Sequence, residues 1–168
     1  MATIGVIGLG NMGRGMAVTL KRRHHRVLGF DALEATRQAL AADGVEIFAN
    51  IASICRQAEI LILSLPTAAI VEVVVAGPDG ILANARPGLL VVDTSTSRPE
   101  TTRRLAGLLT AADMSMIDAP VSGRPKGAIT GTMTMVIGGA DRDVARAMPI
   151  LEGMSAKRSG AACARGGG

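Results

Sequence analysis

Residues 4–13 read IGVIGLGNMG, an apolar run that leads directly into three glycines with the spacing GxGxxG. The spacing alone is a weak signal, because glycines also gather in ordinary turns. Here it follows a predicted strand, Thr3 to Ile7, and begins a predicted helix, Asn11 to Lys21. A strand, a glycine-rich turn and a helix in this order predict a βαβ unit that binds a dinucleotide.

The predicted cofactor contacts of this turn are six consecutive residues: Gly8, Leu9, Gly10, Asn11, Met12 and Gly13. Gly8 suits a tight turn, and Gly13 allows the helix to pack close to the strand. Gly10 has no Cβ that would keep backbone N–H groups away from a pyrophosphate. The helix N-terminus adds a partial positive charge for the phosphates.

Asp31 follows the second predicted strand, Arg26 to Phe30, where a dinucleotide fold places the side chain that meets the adenosine ribose. A carboxylate there accepts from both ribose hydroxyls and repels a 2′-phosphate, so the sequence favours NAD. NADP stays an alternative, since Arg37 could reach a phosphate. Asp31 could also cap the helix predicted from Leu33 to Ala42, and the two roles are compatible.

Short runs rich in Val, Ile and Leu alternate with helical patterns along the rest of the chain. The further predicted strands are Ile60 to Leu65, Leu89 to Val92, Met116 to Asp118 and Thr132 to Ile137. The further predicted helices are Ala68 to Val74, Pro99 to Ala112 and Asp141 to Leu151. This alternation predicts the α/β class, with a doubly wound and mostly parallel sheet.

Two of the predicted strands lead into turn-forming or polar segments, Leu65-Pro66-Thr67 and Asp93-Thr94-Ser95-Thr96. Both segments belong at the carboxyl edge of the sheet. Open α/β sheets bind their ligands at that edge, so both are candidates for the site.

The helix predicted from Pro99 has a distinct start signal. Ser97 suits the N-cap, Pro99 the first helical position, and Glu100 closes a capping box. Because Ser97 fills the cap role, Ser95 and Thr96 are open either to capping or to cofactor contact.

The segment from Asp118 to Ala128, DAPVSGRPKGA, combines a hydroxyl, flexible backbone and two cations at the end of a predicted strand. Backbone N–H groups and the Ser122 hydroxyl could hold a carboxylate. Arg124 and Lys126 could add positive charge, although cations in a loop rich in Gly and Pro are usually solvated.

The chain has 168 residues, which suits one domain with a single substantial core. Its hydrophobic content of 48% is almost wholly aliphatic, because Phe30 and Phe48 are the only aromatic residues.

The net charge of +4 and the pI of about 9.8 could indicate a nucleic-acid partner. The basic residues are scattered, however, and the densest cluster, residues 21–26, coincides with the predicted end of the first helix. We therefore predict no nucleic-acid partner.

Two cysteines, Cys55 and Cys163, cannot form a disulfide framework and match no zinc or redox spacing. A cytoplasmic location and no bound metal are therefore expected. Polar residues and a proline interrupt the apolar stretch from Ile60 to Val75, and Met1 is followed by no basic leader. We predict neither a membrane span nor a signal peptide.

Four segments, in order along the chain, carry a family resemblance: GVIGLGNMGRGMA, SLPTAAIVEVV, VVDTSTSRPET and DAPVSGRPKGAITGTMTMVIGG. Together they closely resemble the β-hydroxyacid dehydrogenase family, whose relatives include 3-hydroxyisobutyrate dehydrogenase, tartronate semialdehyde reductase and the N-terminal domain of 6-phosphogluconate dehydrogenase. The resemblance implies an oxidoreductase whose Rossmann-type domain, here residues 1–157, binds NAD or NADP.

The resemblance also implies roles for individual residues. It places Leu65, Pro66 and Thr96 near the cofactor, and Ser122 and Gly123 at the carboxylate end of a small 3-hydroxy acid or 2-hydroxy-3-oxo acid. Arg124 stands where the family usually has a second glycine. We therefore assign it to the substrate site too, where it would narrow the pocket or select a more acidic substrate.

Full members of the family continue with one more strand and a helix whose lysine is the general acid/base. No counterpart is expected in residues 158–168, which read RSGAACARGGG and are predicted to be disordered, and Lys157 precedes the expected strand. We therefore expect no catalytic residue in this chain and little turnover. The tail is interpreted as a shifted reading frame, with a genuine short paralogue as the alternative.

Without the all-helical C-terminal domain of the family, the nucleotide domain is expected to leave an aliphatic face uncovered and to self-associate through it. The alternative to an interrupted enzyme is a noncatalytic dinucleotide-binding module or a partner of an intact paralogue. Adding the missing segment as a separate chain would restore activity only to the interrupted enzyme.

Overall fold

A computed structural model describes residues 1–160 as strands and helices that alternate along the chain. The strands are β1 (Thr3–Ile7), β2 (Arg26–Phe30), β3 (Glu46–Ile47), β4 (Ile60–Leu63), β5 (Leu90–Asp93), β6 (Ser115–Asp118), β7 (Val121–Ser122), β8 (Met133–Ile137) and β9 (Ser155–Gly160). The helices are α1 (Asn11–Arg22), α2 (Glu34–Ala41), α3 (Ile51–Cys55), α4 (Ala68–Ala76), α5 (Ile81–Asn84), α6 (Pro99–Thr110), α7 (Pro125–Thr130) and α8 (Asp141–Met154).

Six strands form one parallel sheet in the order β3-β2-β1-β4-β5-β6. The order reverses between β1 and β4, so helices cover both faces, as in a doubly wound Rossmann fold. A second sheet has the order β7-β8-β9, with β7 antiparallel and β9 parallel to β8. The two sheets meet where Asp118 and Gly138 exchange backbone hydrogen bonds of 2.8 Å in both directions. The predicted fold class is confirmed.

The central strands are apolar on both faces because helices cover each side of the sheet. In β4, Ile60 and Ile62 point into one core cluster, whereas Leu61 and Leu63 point into the other. The first cluster lies under α1 and α8, and the second lies under α3 to α6. Side chains of successive strand residues alternate between these two cores, so a continuous ILIL run is buried throughout.

The predicted capping box at α6 is wrong. Arg98, not Ser97, is the N-cap residue, and it makes no side-chain cap hydrogen bond. The Ser97 hydroxyl instead donates to Oδ2 of Asp93 at 2.9 Å. Asp93 is fully buried and requires donors, so it takes the hydroxyl that would otherwise cap the helix. Pro99 does occupy the first helical position, as predicted.

The end of the described chain also differs from the prediction. Arg158 to Gly160 form the last part of β9, where disorder was predicted from residue 158. Lys157 lies within this strand instead of preceding one. The segment has no apolar alternation, and its strand conformation comes from backbone pairing with β8, which a sequence pattern does not reveal. Residues 161–168, including Cys163, lie outside the described residues.

No helix in residues 1–160 is long and apolar enough to cross a membrane. Six aliphatic side chains of the described residues are substantially exposed: Leu33, Ile70, Val73, Leu108, Ile129 and Val136. Self-association through such a surface stays a prediction.

The basic cluster at residues 21–26 does coincide with the end of α1, whose last turn carries Lys21 and Arg22.

Thr19 joins α1 to α7, the helix that follows the predicted substrate segment. Its hydroxyl is buried and donates to the Ala128 carbonyl at 2.7 Å, with the Ile129 carbonyl 2.9 Å away. We expect Thr19→Val to lower the free energy of unfolding by about 1–3 kcal/mol, because the isosteric side chain leaves buried carbonyls without this donor. Urea denaturation measures the loss.

The control for this prediction is Thr110→Val. Thr110 is exposed, and its hydroxyl donates to the Ala106 carbonyl within the same helix. Its replacement should change the free energy of unfolding by less than about 0.5 kcal/mol. Equal losses in both variants would show that Thr19 does not hold the two helices together.

Candidate functional site

A cleft of about 680 Å³ opens at the carboxyl edge of the parallel sheet, beside the point where the strand order reverses. Nine of the predicted site residues line it: Gly8, Gly10, Asn11, Met12, Asp31, Leu65, Pro66, Thr96 and Gly123. The other four, Leu9, Gly13, Ser122 and Arg124, are not part of its lining. Residues from β1, β2, β4, β5 and β7 or the turns after them therefore converge on one cavity.

The glycines of the first turn are needed for different physical reasons. Gly8 has a φ of +90°, and a Cβ there would lie 2.2 Å from the Ser64 carbonyl oxygen. A Cβ on Gly13 would lie 1.8 Å from the Gly8 carbonyl oxygen. Both glycines are thus required by the packing of the protein itself.

Gly10 differs from both. Its φ is −61°, a value open to any residue, and a Cβ there would meet nothing within 4 Å among the described residues. It is the N-cap of α1, makes no side-chain cap hydrogen bond, and borders the cleft. The space in front of the first turn of α1 is therefore open to a ligand.

Asp31 links the glycine-rich turn to the start of α2 beside the cleft. Its Oδ2 accepts from the Leu9 backbone N–H and its Oδ1 from that of Leu33, each at 2.8 Å. The carboxylate therefore fixes the glycine-rich turn and also supports the start of α2, and each oxygen keeps a lone pair for a further donor. Arg37 donates to the backbone oxygen of Asp31, and its guanidinium lies 6.0 Å from the centre of the Phe30 ring.

Ser95 joins the turns after β4 and β5. Its hydroxyl accepts from the Leu65 backbone N–H at 2.9 Å, so it holds a neighbouring turn and caps no helix. Its own backbone N–H donates to Oδ1 of Asp93 at 2.9 Å. Burial raises the pKa of Asp93, while these hydrogen bonds from Ser95 and Ser97 oppose the rise.

One of the predicted substrate residues lines this cleft and the other two are next to it in the chain. Val121 and Gly123 line it, and Gly123 has a φ of +147°, which favours glycine. Ser122 and Arg124 are exposed beside it, and Arg124 is the N-cap residue of α7. The turn thus presents backbone to the cleft and these two side chains to its surroundings.

Few ionisable groups are available for chemistry in the cleft. Within residues 1–160, Asp31 is the one ionisable side chain in its lining, and no lysine or histidine contributes. Cys55 is buried in the core, and desolvation raises the pKa of its thiol to about 11, so it is not a nucleophile. The described residues contain no cluster of three or more potential metal ligands.

Known proteins resemble this chain in sequence and in fold. Residues 3–165 match the NAD binding domain of 6-phosphogluconate dehydrogenase. The chain belongs to this family. A 3-hydroxyisobutyrate dehydrogenase of Pseudomonas aeruginosa is 39% identical over 154 residues, which cover 92% of this chain and 52% of that protein. The solved structure of Mycobacterium tuberculosis 3-hydroxyisobutyrate dehydrogenase with L-serine has a TM-score of 0.91 and 36% identity, covering 97% of this chain and 55% of that one.

A further solved structure, Psf3 in complex with NADP+ and 2-OPP, has a TM-score of 0.90 and 27% identity, covering 95% of this chain and 56% of that one. The NAD-binding domain described here spans about half the length of these relatives. The predicted family is confirmed, and the domain is one that binds NAD or NADP.

Several lining residues of this NAD-binding domain escaped the sequence prediction. They are mostly apolar: Phe30, Ala32, Leu33, Ile70 and Val74. Leu33 and Ile70 are exposed despite being large and aliphatic. Apolar residues at a predicted helix start resemble core positions, so only their shared position at a strand-to-helix edge could have indicated a ligand surface.

Proposed function

We propose that this domain binds NAD(H) in the cleft and presents it to a small hydroxy acid, as the cofactor domain of a dehydrogenase similar to 3-hydroxyisobutyrate dehydrogenase. The observation that carries the proposal is the open space at Gly10. Two glycines of the turn are required by intramolecular packing, whereas Gly10 is a glycine for which the described residues supply no reason. A dinucleotide phosphate in contact with the first turn of α1 supplies that reason.

NAD is the preferred cofactor in this proposal. Asp31 places a carboxylate at the end of β2, beside the cleft, with lone pairs available for ribose hydroxyls. A 2′-phosphate would meet this negative charge. Arg37, the cation that could compensate for it, is already engaged by the Asp31 and Ala32 backbone oxygens.

The apolar residues of the cleft, among them Ile70 and Val74, form a surface for the adenine ring. Val121 and Gly123 also line the cleft, and backbone N–H groups there and the nearby Ser122 hydroxyl would orient a substrate carboxylate. The exposed Arg124 would favour a substrate with additional negative charge. When bound, the cofactor supplies the hydride chemistry, and the domain positions the two reactants.

The proposed role stops short of proton transfer. The lining contains no group in the described residues that could exchange a proton with a substrate oxygen, because Asp31 serves the ribose end. The domain alone should therefore bind the cofactor with little turnover. Restoration of hydride transfer by a separately added C-terminal segment of a relative would support the dehydrogenase over a noncatalytic dinucleotide-binding module.

The test is a calorimetric titration of the chain with NADH. We expect saturable binding, and we expect Gly10→Ala to weaken it at least about tenfold, because the new methyl group occupies the path of the phosphate. Thermal stability should change little, since that Cβ meets no atom of the described part of the chain within 4 Å.

The matched control is Gly107→Ala. Gly107 lies within α6, and a Cβ there also meets nothing within 4 Å. This variant should bind NADH like the wild type and gain up to about 1 kcal/mol of stability from its better helix propensity. The proposal fails if the wild type shows no saturable binding, or if Gly10→Ala binds NADH as tightly as Gly107→Ala does.

A further inference from the structure

Two carboxyl groups lie side by side at the carboxyl edge of the sheet, behind the cleft. Asp93 ends β5 and Asp118 ends β6, and the two residues are register partners in neighbouring parallel strands. Register partners project their side chains to the same face of a sheet. Neither carboxyl lines the cleft, and neither has a role in the function proposed above.

The two carboxyl groups have unequal environments. Asp93 accepts from the Ser95 N–H and the Ser97 hydroxyl, one donor on each oxygen. Oδ1 of Asp118 is buried and has no hydrogen-bond partner within the described residues. An ionised Asp118 would therefore combine an unsatisfied buried oxygen with a like charge on the next strand.

Within residues 1–160, the elements packed against Asp118 supply no compensating cation. Strand β8, which packs against β6, has no ionisable residue. On α6, Arg104 pairs with Glu72, while Glu100 and Arg103 are exposed. The ionisable residues of α8 are directed elsewhere or are exposed: Arg142 pairs with Asp143, Arg146 donates to the Gly88 and Glu59 carbonyls, Glu152 approaches Arg158, and Asp141 is exposed.

We propose that Asp118 is a positioning residue that retains a proton beside the ionised Asp93, so that no like charges repel each other between the cofactor turn and the substrate turn. The Asp93 side of the pair fixes Ser95, which in turn holds the Leu65 N–H of the cofactor cleft. The Asp118 side directly precedes the turn that carries Val121 and Gly123 to the cleft. Ionisation of Asp118 would set like charges against each other between these two turns.

The electrostatic environment of Asp118 agrees with this arrangement. Burial and, to a smaller extent, the charge of Asp93 raise the pKa of Asp118 to about 6. A carboxyl whose pKa is higher in the folded than in the unfolded state contributes stability at low pH. That contribution is lost as the pH rises toward and through the folded-state pKa, here between about 4 and 6. Burial lowers the pKa of His25, so the contribution of His25 to stability changes with pH in the opposite direction over an overlapping pH range. The measurement of stability must therefore cancel the contribution of His25.

The test is a carbon NMR titration of the aspartate carboxyl groups in the cofactor-free chain, from pH 4 to pH 8. We expect the Asp118 resonance, assigned by its loss in Asp118→Asn, to titrate with a midpoint near the value of about 6. The backbone amides of Ser95, Val121 and Gly123 should shift with the same midpoint. In Asp93→Asn the midpoint of Asp118 should fall, because the like charge is gone.

A second measurement removes the contribution of His25. The difference in melting temperature between Asp118→Asn and the wild type should be small at pH 4 and should favour the variant by a few degrees at pH 7.5. The control Asp79→Asn, which changes an exposed carboxylate, should show no such trend. An Asp118 midpoint near 4 would overturn the proposal. Backbone amide resonances of the two turns that do not shift as Asp118 titrates would overturn it as well.

The functional consequence rests on the proposed cofactor site, and the carboxyl titration does not. NADH affinity should fall several-fold from pH 5.5 to pH 7.5 in the wild type and should stay level in Asp118→Asn. A chain that titrates as expected but never binds NADH would contradict the proposed function while supporting the carboxyl pair. A pH-dependent affinity that persists in Asp118→Asn would count against the pair.

Discussion

Gly13→Ala should destabilise the domain by about 3 kcal/mol or more, the largest single effect on stability that we expect. The new Cβ would lie 1.8 Å from the Gly8 carbonyl oxygen, which is backbone and cannot rotate away. Gly8 itself is anchored by the hydrogen bond of 2.9 Å from its N–H to the Phe30 carbonyl. Either α1 moves away from β1 or the turn breaks, and the core beneath α1 loosens in both cases.

Thermal and urea denaturation of the cofactor-free chain measure this loss. Gly107→Ala is the control, because it adds the same methyl group to a helical glycine that has open space around it. A Gly13→Ala variant as stable as the wild type would mean that the turn can relax, and that the close approach of α1 to Gly8 is not a requirement of the fold.

Asp31→Ala should produce the largest loss of NADH affinity, more than about tenfold, together with a loss of stability of about 1–3 kcal/mol. The substitution removes the proposed acceptor for the ribose hydroxyls. It also leaves the Leu9 and Leu33 N–H groups without their carboxylate partner. The preference for NADH over NADPH should shrink, because the charge that opposes a 2′-phosphate is gone.

Calorimetric titrations with NADH and NADPH measure both effects. The matched control is Glu34→Ala, which removes a carboxylate from the first turn of α2, where it accepts a hydrogen bond from Gln38. It should leave both affinities near those of the wild type. Equal losses of NADH affinity in the two variants would assign the effect to net charge rather than to the position of Asp31.

The part of the fold nearest the N-terminus could be predicted from sequence because its determinants are local. The boundaries of β1 and β2 are the predicted ones, and α1 differs only by one residue at its end. Strands β7 and β9 were missed because their strand conformation depends on pairing with β8, a contact between residues distant in the chain. Short segments with few apolar residues carry no periodic signal that could have replaced that information.

The site could be predicted in outline. The glycine-rich turn, Asp31 and the turns after β4 and β5 do reach one cleft, because the carboxyl ends of parallel strands share an edge. Hydrogen-bond partners could not be predicted. The Ser97 hydroxyl binds Asp93 and the Ser95 hydroxyl binds the Leu65 N–H, so neither serine caps a helix. These hydrogen bonds depend on how deeply the Asp93 carboxylate is buried.

The pairing of Asp93 with Asp118 was equally invisible in the sequence. Asp93 follows one predicted strand and Asp118 ends another, and only the register of β5 against β6 sets them side by side. Each alone looks like an ordinary acidic residue at the end of a strand. Their shared burial gives them an interaction that neither residue has separately.

The three glycines of the first turn separate two kinds of evolutionary constraint. A descendant of this domain that had lost its cofactor would still need Gly8 and Gly13 in order to fold, because a side chain at either position collides with backbone. It would be free to replace Gly10, where a Cβ would meet no atom of residues 1–160 within 4 Å. If Gly10 faces the cofactor as proposed, substitution at this one position among related genes is expected to mark the copies that have become scaffolds without a ligand.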